Sequence, residues 1–279
     1  MFSYRHSFHA GNHADVLKHV VLSLMLESLK AKDKPFIYHD THAGAGCYDL
    51  LGDRAQRTGE YLDGIARMWN SEVPELMAPY LSAVRQLNSA GKLQAYPGSP
   101  EVARHLCRAQ DRLHLTELNP LDFAPLQALY RKDKRVKVFQ ADAYQHLKAA
   151  MPPKERRGLV LIDPPYELGN EYQQMVDGLL AAYKRWPTGT YAVWYPVVDR
   201  ALVKRVEQKL VQSGIRKILK LELCVQPDSP EYGMTGSGLW VMNPPWKLAE
   251  QMSDLMPYLK SSLAQSDQPE SVVEWLVPE

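Results

Sequence analysis

The chain has 279 residues, of which 45% are apolar and 23% are charged. This composition is typical of a soluble globular protein and excludes disordered, collagen-like and disulfide-scaffold chains. The 33 Lys and Arg nearly balance the 32 Asp and Glu, so the net charge of +1 gives no overall indication of nucleic-acid binding. Three cysteines without a CxxC pair indicate a reducing compartment, which predicts a cytoplasmic protein.

The first helix is predicted over residues 12–32, because Asn12 can cap it and apolar side chains recur at helical spacing. Its apolar run is far shorter than the roughly 20 residues of a membrane span, so we expect no membrane partner. A short buried strand at 36–38 then leads into a glycine-rich loop at 40–46.

A helical pattern follows over residues 50–95 and is interpreted as an inserted helical subdomain. The main domain is then made of residues 1–49, which hold the N-terminal arm, first helix and first strand, and of residues 96–279. Beyond the insertion, strands and helices alternate. Strands are predicted at 113–118, 136–139, 158–162, 191–198, 218–225 and 239–242, and helices at 101–108, 120–130, 144–150, 171–186 and 200–212.

Apolar strands that alternate with helices predict an α/β fold whose mostly parallel sheet is covered on both faces. With the strand at 36–38, the pattern indicates a Rossmann-like sheet of seven strands. In such folds a ligand binds outside the carboxyl ends of the strands.

Three strand ends carry residues suited to a nucleoside cofactor. Gly44 lies in the glycine-rich loop, and Glu117 and Asp142 end two later strands, where acids bind ribose hydroxyls and amino groups. Glu117 follows Gly44 by 73 residues instead of the usual ~20. The excess length supports the insertion and puts Ser99 at the start of the next helix. These residues leave a nicotinamide cofactor and S-adenosylmethionine both open.

The sequence Asp163-Pro164-Pro165-Tyr166 follows an apolar strand and indicates a methyltransferase that acts on an amino nitrogen conjugated to a planar ring. The Asp163 carboxylate and the Pro164 carbonyl can each accept one N–H, which positions a poorly nucleophilic nitrogen for attack on a sulfonium methyl group. Tyr166 offers a face on which an extruded base can stack. These features predict Asp163, Pro164 and Tyr166 as catalytic residues.

Asn243-Pro244-Pro245-Trp246 fits the same pattern. Its strand is the last one predicted, far in chain order from the cofactor acids, so we interpret it as a turn at the edge of the sheet.

The N-terminal arm is rich in histidine. His6, His9 and His13 have a spacing that suggests metal binding, but no cysteine or carboxylate cluster accompanies them. Tyr4, His6 and Lys18 are better suited to contact RNA bases and phosphates. A solvated arm is equally compatible with this composition.

Residues 3–19, 40–46, 96–100, 159–166, 189–196 and 243–247 resemble the J-type large-subunit ribosomal RNA adenine-N6 methyltransferases, the RlmJ family, and the similarity extends over the whole chain. The resemblance implies an S-adenosylmethionine-dependent enzyme, with S-adenosylhomocysteine as product and no metal. It also implies a Rossmann-like fold with an inserted subdomain and N6-methylation of one adenine in 23S rRNA. The implied partner is this rRNA, free or in an early assembly intermediate, and the implied enzyme is a monomer.

The resemblance also implies roles for individual residues. Asp163 would be the catalytic acceptor, and Tyr4, His6 and Lys18 would touch the RNA or gate the site. Ala143 stands where the family pattern has glycine, which a backbone N–H contact tolerates if the local angles allow a Cβ. The implied cofactor contacts are His19, His42, Ser99, Glu117, Asp142 and Ala143.

Three alternatives remain at this stage: a DNA adenine methyltransferase, a protein glutamine methyltransferase, in which Asn normally replaces Asp163, and a catalytically silent RNA-binding module. The neutral net charge conceals basic segments. Residues 130–160 hold nine Lys and Arg against three acids, and residues 199–220 hold seven against two. We therefore expect local RNA contact near the catalytic mouth.

Overall fold

An eight-stranded mixed sheet forms the centre of the protein. The computed structural model describes residues 5–167, 170–229 and 233–279. The strands are β1 (Ile37–Asp40), β2 (Cys47–Asp49), β3 (Ala95–Pro97), β4 (Arg112–Thr116), β5 (Val136–Phe139), β6 (Gly158–Ile162), β7 (Thr190–Val197), β8 (Ile218–Cys224), β9 (Gly236–Met242) and β10 (Glu270–Val277).

The order across the central sheet is β5-β4-β1-β6-β7-β9-β8-β10. Neighbours from β5 to β7 are parallel, whereas β9 is antiparallel to both β7 and β8, and β10 is antiparallel to β8. The predicted α/β fold with a mostly parallel Rossmann-like sheet is confirmed. The predicted count of seven strands is wrong, because β10 pairs with β8 and adds an eighth.

Helices cover both faces of the sheet. They are α1 (His13–Lys30), α2 (Asp53–Thr58), α3 (Ala66–Trp69), α4 (Ala78–Leu87), α5 (Ser99–Leu106), α6 (Pro120–Tyr130), α7 (Ala143–Ala150), α8 (Glu171–Arg185), α9 (Arg200–Gln212) and α10 (Leu248–Leu263). Since successive side chains of a strand point to opposite faces, Leu159 and Leu161 of β6 join the core that contains α1 and α10, whereas Val160 and Ile162 join the core of α7, α8 and α9. No helix within the described ranges is long and apolar enough to cross a membrane.

Helix α1 is buried from His13 to Leu26, because it packs between the sheet on one side and α4 and α5 on the other. Its N-cap is Asn12, whose side chain accepts a hydrogen bond from Asp15 N. A helix surrounded on all sides must be apolar over most of its surface. Its polar side chains, Asp15, Lys18 and His19, are therefore placed in the interior, where they need partners.

The antiparallel pair of β2 and β3 joins the two ends of the segment 50–95. This segment holds α2, α3, α4 and short 3-10 turns, and its buried Met77, Tyr80 and Val84 belong to the same core as α1. Its division from the main domain stays a prediction.

The loops that precede β5 and β6 lie at the amino ends of these strands. The loops that follow the two strands lie at the opposite end of the sheet. Residues 131–135 and 154–157 supply most of the basic side chains of the segment 130–160. These two loops therefore lie away from the strand ends that carry Glu117, Asp142 and Asp163, and RNA contact near the catalytic mouth stays a prediction.

Candidate active site

A cavity of about 740 Å³ opens at the carboxyl ends of β1, β4, β5, β6 and β7. It brings together the candidate residues predicted from sequence, with the exception of Tyr4, which lies outside the described residues. Those that line the cavity are His6, Lys18, His19, His42, Gly44, Ser99, Glu117, Asp142, Ala143, Asp163, Pro164 and Tyr166.

The glycine-rich loop is held against Glu117. Gly44 has a φ of +60° and donates its N–H to Glu117 Oε2 at 2.8 Å, while Asn119 N–H donates to Oε1 at 2.7 Å. A Cβ at Gly44 would overlap the hydroxyl of Tyr48, so only glycine fits. Burial raises the pKa of Glu117, and its two backbone donors act against that rise. The carboxylate is thus fixed at the edge of the cavity by both strand-end loops.

Asp40 ends β1 and anchors Ser99, a contact that the sequence did not predict. Ser99 Oγ donates to Asp40 Oδ2 at 2.7 Å, and Tyr38 Oη donates to the same oxygen at 2.6 Å. Burial raises the pKa of Asp40 to about 6. The position of Asp40 at the start of the glycine motif was the available signal for its importance.

Two of the predicted cofactor residues are buried histidines. His19 Nδ1 lies 2.9 Å from Tyr96 Oη, and within the described part of the chain its buried Nε2 has no hydrogen-bond partner. His42 Nδ1 lies 2.8 Å from Thr41 Oγ1. Burial lowers the pKa of His19 to about 3 and that of His42 to about 4, so both rings are neutral near pH 7.

Asp142 and Ala143 begin α7. Asp142 caps the helix, with Oδ1 accepting from Gln145 N at 2.8 Å. Ala143 is the first residue of the helix and is not among the non-glycine residues with positive φ, so its Cβ fits without backbone strain. The departure from glycine at this position is accommodated.

Lys18 connects α1 to the Asp163 loop. Its Nζ lies 2.6 Å from Asp163 Oδ2 and 2.9 Å from Asp15 Oδ1, and its side chain is only 5% exposed. Burial alone would lower the pKa of Lys18, but Asp15 and Asp163 outweigh it and raise the pKa above its ordinary value. Lys18 therefore carries a charge in the interior of the site.

Asp15 is in turn held by the N-terminal arm. His6 Nε2 lies 2.8 Å from Asp15 Oδ2, which also accepts from Gly11 N at 2.9 Å. Burial would raise the pKa of Asp15, yet His6 and Lys18 keep it well below its ordinary value. The sequence predicts Asp15 only as part of the helix cap, because its ion pairs form between segments that are apart in the chain.

Tyr166 ends the DPPY sequence in the left-handed region, with a φ of +53°. Its hydroxyl donates to the carbonyl of Trp194 at 2.7 Å, which fixes the ring in the cavity wall. The ring lies 4.3 Å from Tyr172 and 6.0 Å from Trp194, centroid to centroid. Lys18 Nζ lies 5.5 Å from the Trp194 ring. An aromatic wall therefore stands beside Asp163, and neither Tyr172 nor Trp194 was predicted to take part in it.

The histidines of the arm do not converge. His6 contacts Asp15, His9 Nδ1 lies 2.8 Å from Glu60 Oε1, and His13 is buried with its pKa lowered to about 4 by that burial. Over the ranges 5–167, 170–229 and 233–279, no group of three His, Cys, Asp or Glu has a geometry that could hold a metal ion.

The second motif lies at the other end of the sheet. Because β9 is antiparallel to β7, Asn243 follows the end of β9 beside the start of β7, where its Nδ2 donates to the carbonyls of Pro187 and Gly189 at 2.8 Å. Its placement away from the cavity agrees with the prediction. The description as an edge turn is wrong, since β9 lies between β7 and β8.

Comparison with known proteins identifies the family. The sequence model described as "Ribosomal RNA large subunit methyltransferase D, RlmJ" matches residues 33–277 of this chain. The chain belongs to the RlmJ family. It is 55% identical over 280 residues to the ribosomal RNA large subunit methyltransferase J of Escherichia coli K12 and 52% identical over 281 residues to that of Haemophilus influenzae, with 100% of each chain covered.

A similar fold is also seen in a crystal structure. Protein LPL1258 from Legionella pneumophila is 38% identical to this chain and superposes with a TM-score of 0.89, over 96% of this chain and 98% of the Legionella protein. The family resemblance predicted from the motifs is therefore confirmed at the level of the whole chain.

Proposed function

We propose that this protein transfers a methyl group from S-adenosylmethionine to the N6 amino group of an adenine in 23S rRNA. The observation that carries the proposal is the cavity in which Asp163 and Tyr166 stand next to the strand-end groups of a nucleoside site. Membership of the RlmJ family supports the rRNA substrate.

The described residues fit S-adenosylmethionine. Glu117 presents a carboxylate suited to ribose hydroxyls, Gly44 fixes that carboxylate through its N–H, and the buried Nε2 of His19 has no protein partner in the described chain. Asp142 is suited to an amino group, and Ser99, His42 and Ala143 complete the set. When bound, the cofactor supplies an electrophilic sulfonium methyl group.

The adenine is held by Asp163, Pro164 and Tyr166. The carboxylate of Asp163 and the carbonyl of Pro164 each accept one N–H of the exocyclic amine, so that its lone pair points out of the ring plane toward the methyl group. The ring of Tyr166, anchored on the Trp194 carbonyl, stacks on the extruded base. Methyl transfer would release S-adenosylhomocysteine and one proton of the amino nitrogen, for which the Asp163 carboxylate is the adjacent acceptor.

Lys18 sets the charge of this site. Its ammonium group pairs with Asp163 Oδ2, which leaves Oδ1 of the same carboxylate to accept an N–H of the amine. His6 acts one step away by fixing Asp15. We propose that His6 and Lys18 contact the RNA, together with Tyr4, which lies outside the described residues.

The test is transfer of labelled methyl groups to a protein-free 23S rRNA transcript, with mapping of N6-methyladenine. We expect Asp163→Ala to lower kcat/KM by about a hundredfold or more. Asn243→Ala, which changes the other motif of the same pattern, should keep the wild-type kcat/KM per folded enzyme. Full activity of Asp163→Ala would contradict the mechanism.

Two further comparisons test the substrate. DNA of the same sequence, assayed side by side, should remain unmethylated, and its labelling in preference to RNA would favour a DNA methyltransferase. Assembled large subunits should be poorer substrates than free rRNA, because the target base must leave its stack to reach Tyr166. A monomeric, cytoplasmic enzyme is part of the same proposal, and gel filtration of the pure protein tests the monomer.

A further inference from the structure

The charge at the mouth of the catalytic cavity is opposite to what RNA binding requires. The described residues that line the cavity include nine Asp and Glu side chains but a single lysine, Lys18, and that lysine is paired with two carboxylates. Phosphate groups are repelled by such a surface, whereas proteins that bind long RNA draw much of their affinity from phosphate contacts. A surface outside the cavity is therefore better suited to phosphate contacts.

The amino ends of the parallel strands carry the complementary charge. The loops that precede β1, β5 and β6 expose six cations, none of which has an ion-pair partner in the described part of the chain. We call this surface the amino-end face. Its cations are Lys32, Lys34, Lys132, Lys134, Lys154 and Arg156.

The loops of the amino-end face are braced by a separate set of arginines. Arg108 donates to the carbonyls of Lys32 and Lys34 at 3.0 Å, and Arg157 donates to the carbonyl of Lys34 at 2.8 Å. Arg135 joins the next loop by donating to the carbonyl of Cys107 at 2.7 Å. The exposed lysines thus project from loops whose backbones are held in place.

The same arginines also neutralise nearby acids. Asp111 pairs with Arg108 at 3.0 Å, and Asp133 pairs with Arg135 at 2.6 Å. Because these carboxylates are occupied by the bracing arginines, the charge of the exposed cations is reduced, within these described loops, only by Asp33, which lies 3.8 Å from Arg108, and by Glu155. The loops before β5, β4, β1 and β6 are neighbours in the sheet, so the face spans three strand spacings, or about 15 Å.

We propose that the amino-end face is a second RNA-binding surface, which holds the phosphate backbone of the rRNA substrate at the end of the enzyme opposite to the catalytic cavity. The proposal rests on the rRNA substrate of the proposed function. β6 has five residues and spans about 16 Å, so the two ends are at least that far apart. A hairpin of only a few base pairs that fills the cavity is shorter than the path around the molecule to this face, whereas a folded rRNA domain extends beyond it.

The test compares two triple variants that remove the same charge. Lys34→Gln/Lys132→Gln/Lys154→Gln alters the amino-end face, and Arg85→Gln/Lys92→Gln/Lys260→Gln alters cations elsewhere, on α4, in the turn after it and on α10. Neither set touches the cavity. Binding to a protein-free 23S rRNA transcript and to a short hairpin with the target adenine is measured over a range of salt concentrations.

The face variant should bind the long RNA about tenfold more weakly near 0.15 M salt, and the salt slope of log Kd should fall by about 2, which is three contacts at about 0.7 each. The kcat/KM for hairpin methylation should stay within about twofold of wild type. The control variant should change neither value.

The same variants are also tested for binding to vesicles of anionic phospholipid. Three results would overturn the proposal: wild-type RNA affinity and salt slope in the face variant, an equal loss of RNA affinity in both triple variants, or a loss of vesicle binding without a loss of RNA binding. If wild-type protein methylates no RNA, the proposed function fails, and the binding comparison still decides whether this face holds RNA.

Discussion

Lys18 Nζ lies 2.6 Å from Asp163 Oδ2, and this ion pair joins α1 to the loop that follows β6. The two residues are 145 positions apart in the chain. Because the same ammonium group also contacts Asp15, which His6 holds, the N-terminal arm is coupled to the catalytic carboxylate through one buried lysine.

Lys18→Met should destabilise the protein by about 3–5 kcal/mol, because it leaves Asp15 and Asp163 in the interior without their cation. Urea denaturation at pH 7 measures the change. Lys30→Met is the matched control in the same helix, since Lys30 pairs with Glu27 at 2.6 Å on a partly exposed face. It should cost less than about 1 kcal/mol. Equal losses in the two variants would show that the Lys18 pair is no more important than a surface pair.

Gly44→Ala should destabilise the protein and weaken S-adenosylmethionine binding. Gly44 and Gly91 both have positive φ, at +60° and +76°, so alanine costs roughly 1–2 kcal/mol at either position. Only at Gly44 does the new Cβ meet a neighbour, the hydroxyl of Tyr48.

In urea denaturation, Gly44→Ala should therefore lose more unfolding free energy than Gly91→Ala. Adding Tyr48→Phe to Gly44→Ala should restore part of the difference. Calorimetry should show weaker cofactor binding for Gly44→Ala alone of the two single variants. Indistinguishable glycine variants would contradict the close approach at Gly44.

Glu117→Gln should weaken S-adenosylmethionine binding about ten- to a hundredfold, which corresponds to roughly 1.5–3 kcal/mol for hydrogen bonds to a charged group. The new amide would also point a donor at Gly44 N–H or Asn119 N–H, which both donate in the native protein. Isothermal titration calorimetry measures the affinity. Asp177→Asn, which changes an exposed acid on α8, should leave the affinity for S-adenosylmethionine unchanged. An unchanged affinity in Glu117→Gln would show that Glu117 has no part in the cofactor site.

The free energy of unfolding should decrease as the pH falls from about 6.5 to 4. Burial lowers the pKa of His39 to about 3 and that of His114 to about 4, and their rings meet edge to face at 4.9 Å. As the pH falls, these histidines bind protons in the unfolded chain before they do so in the folded protein. The stability that the neutral rings provide is therefore complete above pH 6.5 and is lost as the pH falls toward their folded-state pKa values.

Asp40 acts with the opposite sign. Its pKa of about 6 lies above the unfolded value, so its contribution is complete below about pH 4 and is lost as the pH rises through 6. His39→Phe removes one titrating ring, and the slope of unfolding free energy against pH should become shallower by up to about 1.4 kcal/mol per pH unit. Urea denaturation at a series of pH values measures it, and an unchanged slope would exclude His39 as a source.

Much of the fold was predictable because local signals agree with the final structure. β5, β6, α6 and α9 have the predicted bounds, since apolar periodicity and caps at Asn119 and Asp199 mark them. α10 and β10 were not predicted. β10 is partly exposed with Glu270 and Glu274 in it, so its pattern is not that of a buried strand, and its pairing with β8 decides its conformation.

The site likewise contains residues that local signals predict and contacts that depend on tertiary packing. Strand-end residues such as Gly44, Glu117 and Asp163 could be found because each follows an apolar strand. The contact of Lys18 with Asp163 and the anchoring of Tyr166 on Trp194 depend on packing between distant segments, for which a single sequence carries no local signal.

The two proline-proline motifs differ in which way their strands run. β6 runs toward the cavity, so Asp163 at its end lies in the cavity. β9 runs in the opposite direction, so Asn243 at its end lies at the other end of the sheet. A search for four-letter signatures reads both as equivalent. Taking into account the direction in which the preceding strand runs in the sheet removes this false positive. The same criterion applies to any methyltransferase sequence in which an antiparallel strand carries a second copy of the signature.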